Sequence, residues 1–153
     1  MKTISVVPQI YNKDSSKVFS SLHRCPNAIW LDSNHKDTHG ARFDIISGFP
    51  TKIIEVNENK VFIFESNGSI KTEISDNPFT VIEQFLKHLG PINSKYRHIQ
   101  FTGGLMGFFG YDHGRHLHAI ESISKKIVDL PEIRLGLYHL SLIHISEPTR
   151  PPE

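Results

Sequence analysis

Apolar residues spaced three and four apart define the first element of the chain. Val18, Phe19 and Leu22 share one helical face, and Asp14 and Ser15 just ahead of them can cap the N-terminus. Pro26 requires this helix to stop. Ala28 to Leu31 then reads as a short buried strand, followed by a polar loop over 32–40 and a second strand that starts near Arg42 and runs through Phe43, Ile45 and Ile46 toward Pro50. A meander follows, because Thr51 to Val56 and Lys60 to Phe64 are rich in β-branched and aromatic residues around the turn residues Asn57, Glu58 and Asn59. Asn67-Gly68 predicts a two-residue hairpin, both positions tolerating positive φ, with Ser69 to Ile74 as the returning strand.

Asn77-Pro78 predicts a helix start, since proline at the first helical position lacks only an N–H that would be unpaired anyway. Val81, Ile82, Phe85, Leu86 and Leu89 form its apolar stripe, and Gly90-Pro91 ends it. Ile99 to Tyr111 is glycine-rich and aromatic, and Ile133 to Tyr138 reads as a last strand after a turn over 129–132. The sum is an α+β fold in one domain, a mostly antiparallel sheet with a few packed helices.

Composition narrows the classes. With 38% hydrophobic and 22% charged residues over 153 positions, the chain has the make-up of a soluble globular domain. Lys plus Arg is 17 and Asp plus Glu is 16, and a net charge of +1 gives no reason to expect nucleic acid or an anionic membrane as partner. Cys25 is alone, so it forms no internal disulfide and points to a reducing compartment. No apolar run is long enough to span a bilayer, and Pro8, Asn12, Lys13 and Asp14 interrupt any signal-peptide core, so the expected location is cytoplasmic.

Four patterns could carry chemistry. Gly103, Gly104, Gly107 and Gly110 suggest a phosphate cradle, but they fit neither the Walker pattern nor G-x-G-x-x-G, and a strand with closely packed neighbours is the preferred reading. His113, His116 and His118 lack a Cys or an acid at a spacing that completes a tetrahedral site; solvated surface histidines are preferred, with Arg115 disfavouring a cation. Nucleophilic catalysis finds no G-x-S-x-G elbow, and the carboxylates of Asp44 and Glu55 have no sequence signal bringing them together. The last pattern is Trp30-Leu31-Asp32-Ser33 followed by Arg42-Phe43-Asp44. A hydroxyl and a carboxylate at a strand end suit an ammonium, and a guanidinium suits a carboxylate, which together could hold an amino acid. A plain turn at 32–34 with Arg42 on the surface is the more ordinary alternative.

At these residues the sequence resembles the N-terminal region of the chorismate-utilising synthases, the anthranilate synthase component I family, and most closely the branch that makes aminodeoxychorismate. The resemblance runs from about Ala28 to Tyr138. It rests on Leu31-Asp32-Ser33, on Arg42 to Ile46, on Gly103 to Asp112 with Gly114-Arg115, on Leu130-Pro131 and on Gly136 to Tyr138. It implies a protein that aminates chorismate on the way to 4-aminobenzoate and folate, with Mg2+ as cofactor and ammonia from a glutamine amidotransferase partner. It further implies that the chorismate and metal groups belong to a half this chain lacks, so that no catalytic or metal-binding residue is expected here and the chain alone is inactive. What it assigns to this chain is a tryptophan pocket, on Ser33, Gly40, Ala41, Arg42 and Phe43, whose other wall comes from the missing half. It also makes the glycine-rich segment a central strand.

Three alternatives accompany this reading: a fragment of an anthranilate synthase component I, a stand-alone tryptophan-binding module, and a fragment that aggregates through uncovered sheet edges. Residues 1–139 are taken as the family-like region. Residues 140–153 are set aside as a non-native tail, because Ser141 to Glu153 resembles an out-of-frame translation of a sequencing adapter and Pro148, Pro151 and Pro152 deny it any long regular element.

Overall fold

The computed structural model describes residues 4–10, 14–33, 43–58, 60–91, 94–111, 113–117 and 128–145. In chain order the elements are α1 (Ser15–Leu22), β1 (Ile29–Leu31), β2 (Phe43–Ser47), β3 (Lys52–Asn57), β4 (Lys60–Glu65), β5 (Ile70–Ile74), α2 (Pro78–Leu89), a 3-10 turn (Ser94–Tyr96), β6 (Gly104–Phe109), α3 (His113–Leu117), β7 (Ile133–Tyr138) and β8 (Leu142–Ile145). They fall into two compact units. The first takes in Met1–Phe49, Gly90–Gly104 and Tyr138–Glu153, and the second Pro50–Leu89 and Leu105–Leu137.

In the first unit α1 starts where its cap does. The Asp14 carboxylate accepts from the Ser16 N–H at 3.0 Å and the Ser16 hydroxyl at 2.5 Å. The Ser16 hydroxyl, opposed only in part by desolvation, holds the Asp14 carboxyl below its usual range. The cap is therefore fully formed above the ordinary aspartate range and is lost as pH falls through the lowered value. Beside α1 lies an antiparallel sheet in the order β1-β2-β8. Trp30 sits opposite Ile46, and Ile46 opposite Leu142, so the three share one face. The Trp30 ring lies 5.4 Å from that of Phe19, which places one apolar residue of α1 against this sheet.

β8 is a strand that the sequence pattern did not single out. It runs through residues set aside as a tail, yet pairs with β2 over four positions. The Ser47 hydroxyl donates to the Leu140 carbonyl, the Tyr138 hydroxyl to the Asn27 carbonyl at 2.8 Å and the Ser141 hydroxyl to the Phe101 carbonyl at 3.1 Å. Its Leu142, Ile143 and Ile145 are of the apolar and β-branched kind that a strand accommodates, as are Phe43, Ile45 and Ile46 of β2.

The second unit contains a five-stranded sheet in the order β5-β4-β3-β7-β6, with α2 packed on it. Directly opposed residues of an antiparallel pair share a face, so Ile54 lines up with Ile63 and Leu135, and Val56 with Val61 and Ile133. These six meet Val81 and Ile82 of α2 to form the core of the unit. The α2 stripe is narrower than the spacing suggested: Phe85 is half-buried against that core and Leu86 is exposed. On the opposite face the Arg134 guanidinium pairs with Glu55 across the strands.

Three local features differ from the expected ones. The hairpin after β4 closes with a Glu65–Ser69 bond and has three loop residues, with only Gly68 at positive φ (82°) while Asn67 accepts from the Ser69 N–H and hydroxyl. This is the turn-plus-bulge form, in which asparagine bonds locally and glycine alone takes the left-handed position. The glycine-rich segment is a strand only over Gly104–Phe109, because Gly103, at φ 101°, breaks the extended run just before β6. β6 also stands at the end of the strand order among the described residues, not at its centre.

Candidate functional site

The end of β1 and the start of β2 meet at a buried carboxylate. Asp44 shares the inward face of β2 with Ile46 and is only 6% exposed. One of its oxygens accepts the Ser15 hydroxyl at 2.6 Å; the other accepts the Ser33 N–H at 2.9 Å and the Ser33 hydroxyl at 3.0 Å. An ionised carboxylate accepts only, so these donors satisfy a group that would otherwise be expensive to bury. The network ties the first residue of α1, the end of β1 and the middle of β2 to one side chain.

The pattern that suggested an amino-acid site is thus partly assembled. Ser33 is half-buried at the strand end, Phe43 is half-buried at the start of β2, and Asp32, proposed beside Ser33 as a counter-ion, is exposed. The carboxylate that Ser33 meets is Asp44 instead. Gly40, Ala41 and Arg42 lie outside the described residues. Asp44 and Glu55 belong to different units and have separate partners, Ser15 with Ser33 and Arg134 respectively. Asp44 was within reach of sequence reasoning: an acidic residue two positions from Ile46 in a strand must share its buried face and find donors there.

A cavity of about 550 Å³ opens on the first unit. Ser15, Val18 and Ile46 form one side, and Phe101, Thr102 and Ile143 are among the residues on the others. Neither Ser33 nor Phe43 lines it.

The histidine pattern resolves differently. His113 is only 4% exposed, not a solvated surface group. Its Nδ1 lies 3.2 Å from Glu132 Oε2, its ring is 5.6 Å from Phe79, and Glu132 Oε1 accepts the Glu58 N–H. A carboxylate is the better acceptor, which puts the proton on Nδ1 and leaves Nε2 as a buried nitrogen with no hydrogen-bond partner among the described residues. Burial follows from the chain path, since the His113 N–H bonds to the Gly110 carbonyl and Gly110 in turn bonds to Glu132. His118 lies outside the described residues. Among the described residues no three His, Cys, Asp or Glu side chains are grouped so as to hold a metal ion. His113→Leu is expected to cost about 1–3 kcal/mol in urea denaturation by removing one partner of a nearly buried carboxylate. His113→Gln, which can still donate, should recover part of it; wild-type stability in both variants would mean the pair contributes nothing.

The glycine-rich segment forms no phosphate cradle. Its residues 104–109 are a strand, and Gly107 lies directly against the Arg134 backbone. Among the described residues no helix is long and apolar enough to cross a membrane.

No protein-family model matches the chain. Its fold is that of an anthranilate synthase component I: the Streptococcus pneumoniae TIGR4 crystal structure superimposes with a TM-score of 0.54 at 20% identity, covering 91% of this chain and 29% of that one. Sequence similarity agrees, and the chain is a relative of the component 1 synthases. It is 30% identical over 146 residues to aminodeoxychorismate synthase component 1 of Escherichia coli (strain K12), a match covering 94% of this chain and 32% of that protein. Anthranilate synthase component 1 of Acetivibrio thermocellus is 34% identical over 102 residues, covering 67% of this chain and 20% of that protein. The chain therefore spans about a third of the length of the first of these relatives.

Proposed function

We propose that this chain is part of an aminodeoxychorismate synthase component 1, a protein that aminates chorismate on the way to 4-aminobenzoate and folate. The observation that carries this reading is the match to the Escherichia coli protein over 94% of the chain. The complete protein would take ammonia from a glutamine amidotransferase partner and use Mg2+. The described residues offer no cluster suited to a metal, so no Mg2+ step is assigned to them. The lone Cys25 supports a reducing, cytoplasmic setting.

The part assigned to this chain is one wall of a tryptophan pocket, built from Ser33, Gly40, Ala41, Arg42 and Phe43. Support comes from Ser33, whose amide and hydroxyl are both held at the strand end by Asp44. Supplied with chorismate, Mg2+ and ammonia, the chain alone should show no turnover above a protein-free control; clear turnover would overturn the assignment of catalysis to the remainder of the protein. Titration with L-tryptophan should give weak binding that Arg42→Ala abolishes. Anthranilate synthesis is the second reading, favoured by the Acetivibrio thermocellus relative. Chorismate turnover by the complete protein separates the two, one product being aminodeoxychorismate and the other anthranilate.

A further inference from the structure

We infer that β6 is an association edge through which two copies of this chain pair antiparallel, joining their five-stranded sheets across a two-fold axis at Gly107. The inference stands apart from the activity proposed above, because it rests only on how the edges of one sheet are built.

The two ends of the strand order β5-β4-β3-β7-β6 differ in kind. A strand at a sheet edge offers its backbone N–H and C=O groups to any second strand, and charged side chains are the common guard against that. β5 carries such a guard: it reads Ile70-Lys71-Thr72-Glu73-Ile74, and Glu73 pairs with Lys60 at 2.9 Å. β6 reads Gly104-Leu105-Met106-Gly107-Phe108-Phe109, with neither a charge nor a proline. The uncharged run extends past the strand at both ends, from Ile99 to Tyr111. Its inner side is fixed, since Gly107 lies directly against the Arg134 backbone of β7. Apolar surface is exposed at the same place. Phe108 is 40% exposed and Phe109 54%, and the Phe109 ring stacks on that of Phe79, itself 42% exposed, at 6.3 Å. Exposed apolar surface gathered in one patch is the mark of an association site.

The strand is complementary to itself. A two-fold axis through Gly107 sets that glycine opposite its own copy, Met106 opposite Phe108, Leu105 opposite Phe109 and Gly104 opposite Gly110. Apolar residues then meet apolar residues, small ones meet small ones, and no like charges are opposed. Pairing β6 with β5 of another copy would instead set Lys71 and Glu73 against a strand that has no counter-charge. Association through β6 alone uses one patch on each copy, so it closes at a dimer and does not grow into a fibre.

The test is light scattering on a size-exclusion column, applied to this chain. The wild type should give about twice the 17.4 kDa of a single chain. Phe109→Lys sets an ammonium against Leu105 of the second copy, twice per dimer, and should give a monomer with wild-type circular dichroism. Ile10→Lys, at a residue of the first unit that is 99% exposed, should remain a dimer. A monomeric wild type overturns the inference. So does a dimer retained by Phe109→Lys, a dimer lost in Ile10→Lys, or a species larger than a dimer.

If Phe109→Lys fails to fold, hydrogen exchange on the wild-type dimer decides. The outward amides of β6 should be protected while those of β5 exchange as an open edge. Unprotected β6 amides in a dimer overturn the inference, because the contact then lies elsewhere.

Discussion

Gly107→Val is expected to disrupt the five-stranded sheet. A Cβ at this position would lie 2.0 Å from the Arg134 carbonyl oxygen and 2.9 Å from the Leu135 Cα. Both are backbone atoms of β7, the strand that pairs with β3 on its other side, so neither can yield without parting the sheet. Overpacking of this kind costs about 3 kcal/mol or more, a large share of the roughly 5–15 kcal/mol that separates a folded domain from its unfolded chain. Gly114 supplies the control, because nothing lies within 4 Å of its absent Cβ. Gly114→Ala should be neutral or slightly stabilising, since alanine is the better helix former. Urea denaturation followed by circular dichroism separates the two cases, and a wild-type midpoint for Gly107→Val would refute the close approach of β6 to β7.

Asp44→Leu should be the other severe change. It leaves the Ser15 and Ser33 hydroxyls and the Ser33 N–H without the acceptor they share. Unsatisfied buried donors cost about 1–3 kcal/mol each, and a combined loss of about 3–5 kcal/mol is expected. The origin of the loss can be checked with Ser15→Ala, because removing both partners of a buried bond is far cheaper than removing one. The double variant Ser15→Ala, Asp44→Leu should therefore unfold at a higher urea concentration than Asp44→Leu alone. Strict additivity would mean that the two side chains are not coupled.

The legible parts of this fold were those set by local pattern. Helix α2 follows from Asn77-Pro78 ahead of Val81 and Ile82 and from Gly90 behind Leu89, with the Asn77 carboxamide accepting the Phe79 N–H at 2.9 Å and Gly90 at φ 69°. Strands β3, β4 and β7 follow from runs of β-branched and apolar residues bounded by turn residues. What escaped depends on partners distant in sequence. The burial of His113 is decided by Glu132, and the importance of Asp44 by Ser15, 29 residues earlier. Leu86 fits the helical period as well as Phe85 does, but the sheet beneath α2 covers only one of them. Of the candidate pocket, Ser33 and Phe43 were legible through their motif, whereas the side chain that fixes Ser33 is visible only once β1 and β2 are paired.

The interleaving of the two units bears on how the polypeptide can be made and cut. The chain passes between units at 49–50, at 89–90, at 104–105 and again at 137–138. During synthesis the second unit is fully emerged at Leu137, while the first still lacks β8, and Ser47 must wait 93 residues for its partner Leu140. The three-stranded sheet is consequently completed only after the last strand of the second unit has been made, with β2 exposing an unfilled edge in the meantime. A protease nick at any one crossing frees neither unit, because each is still stitched to the other through the remaining junctions.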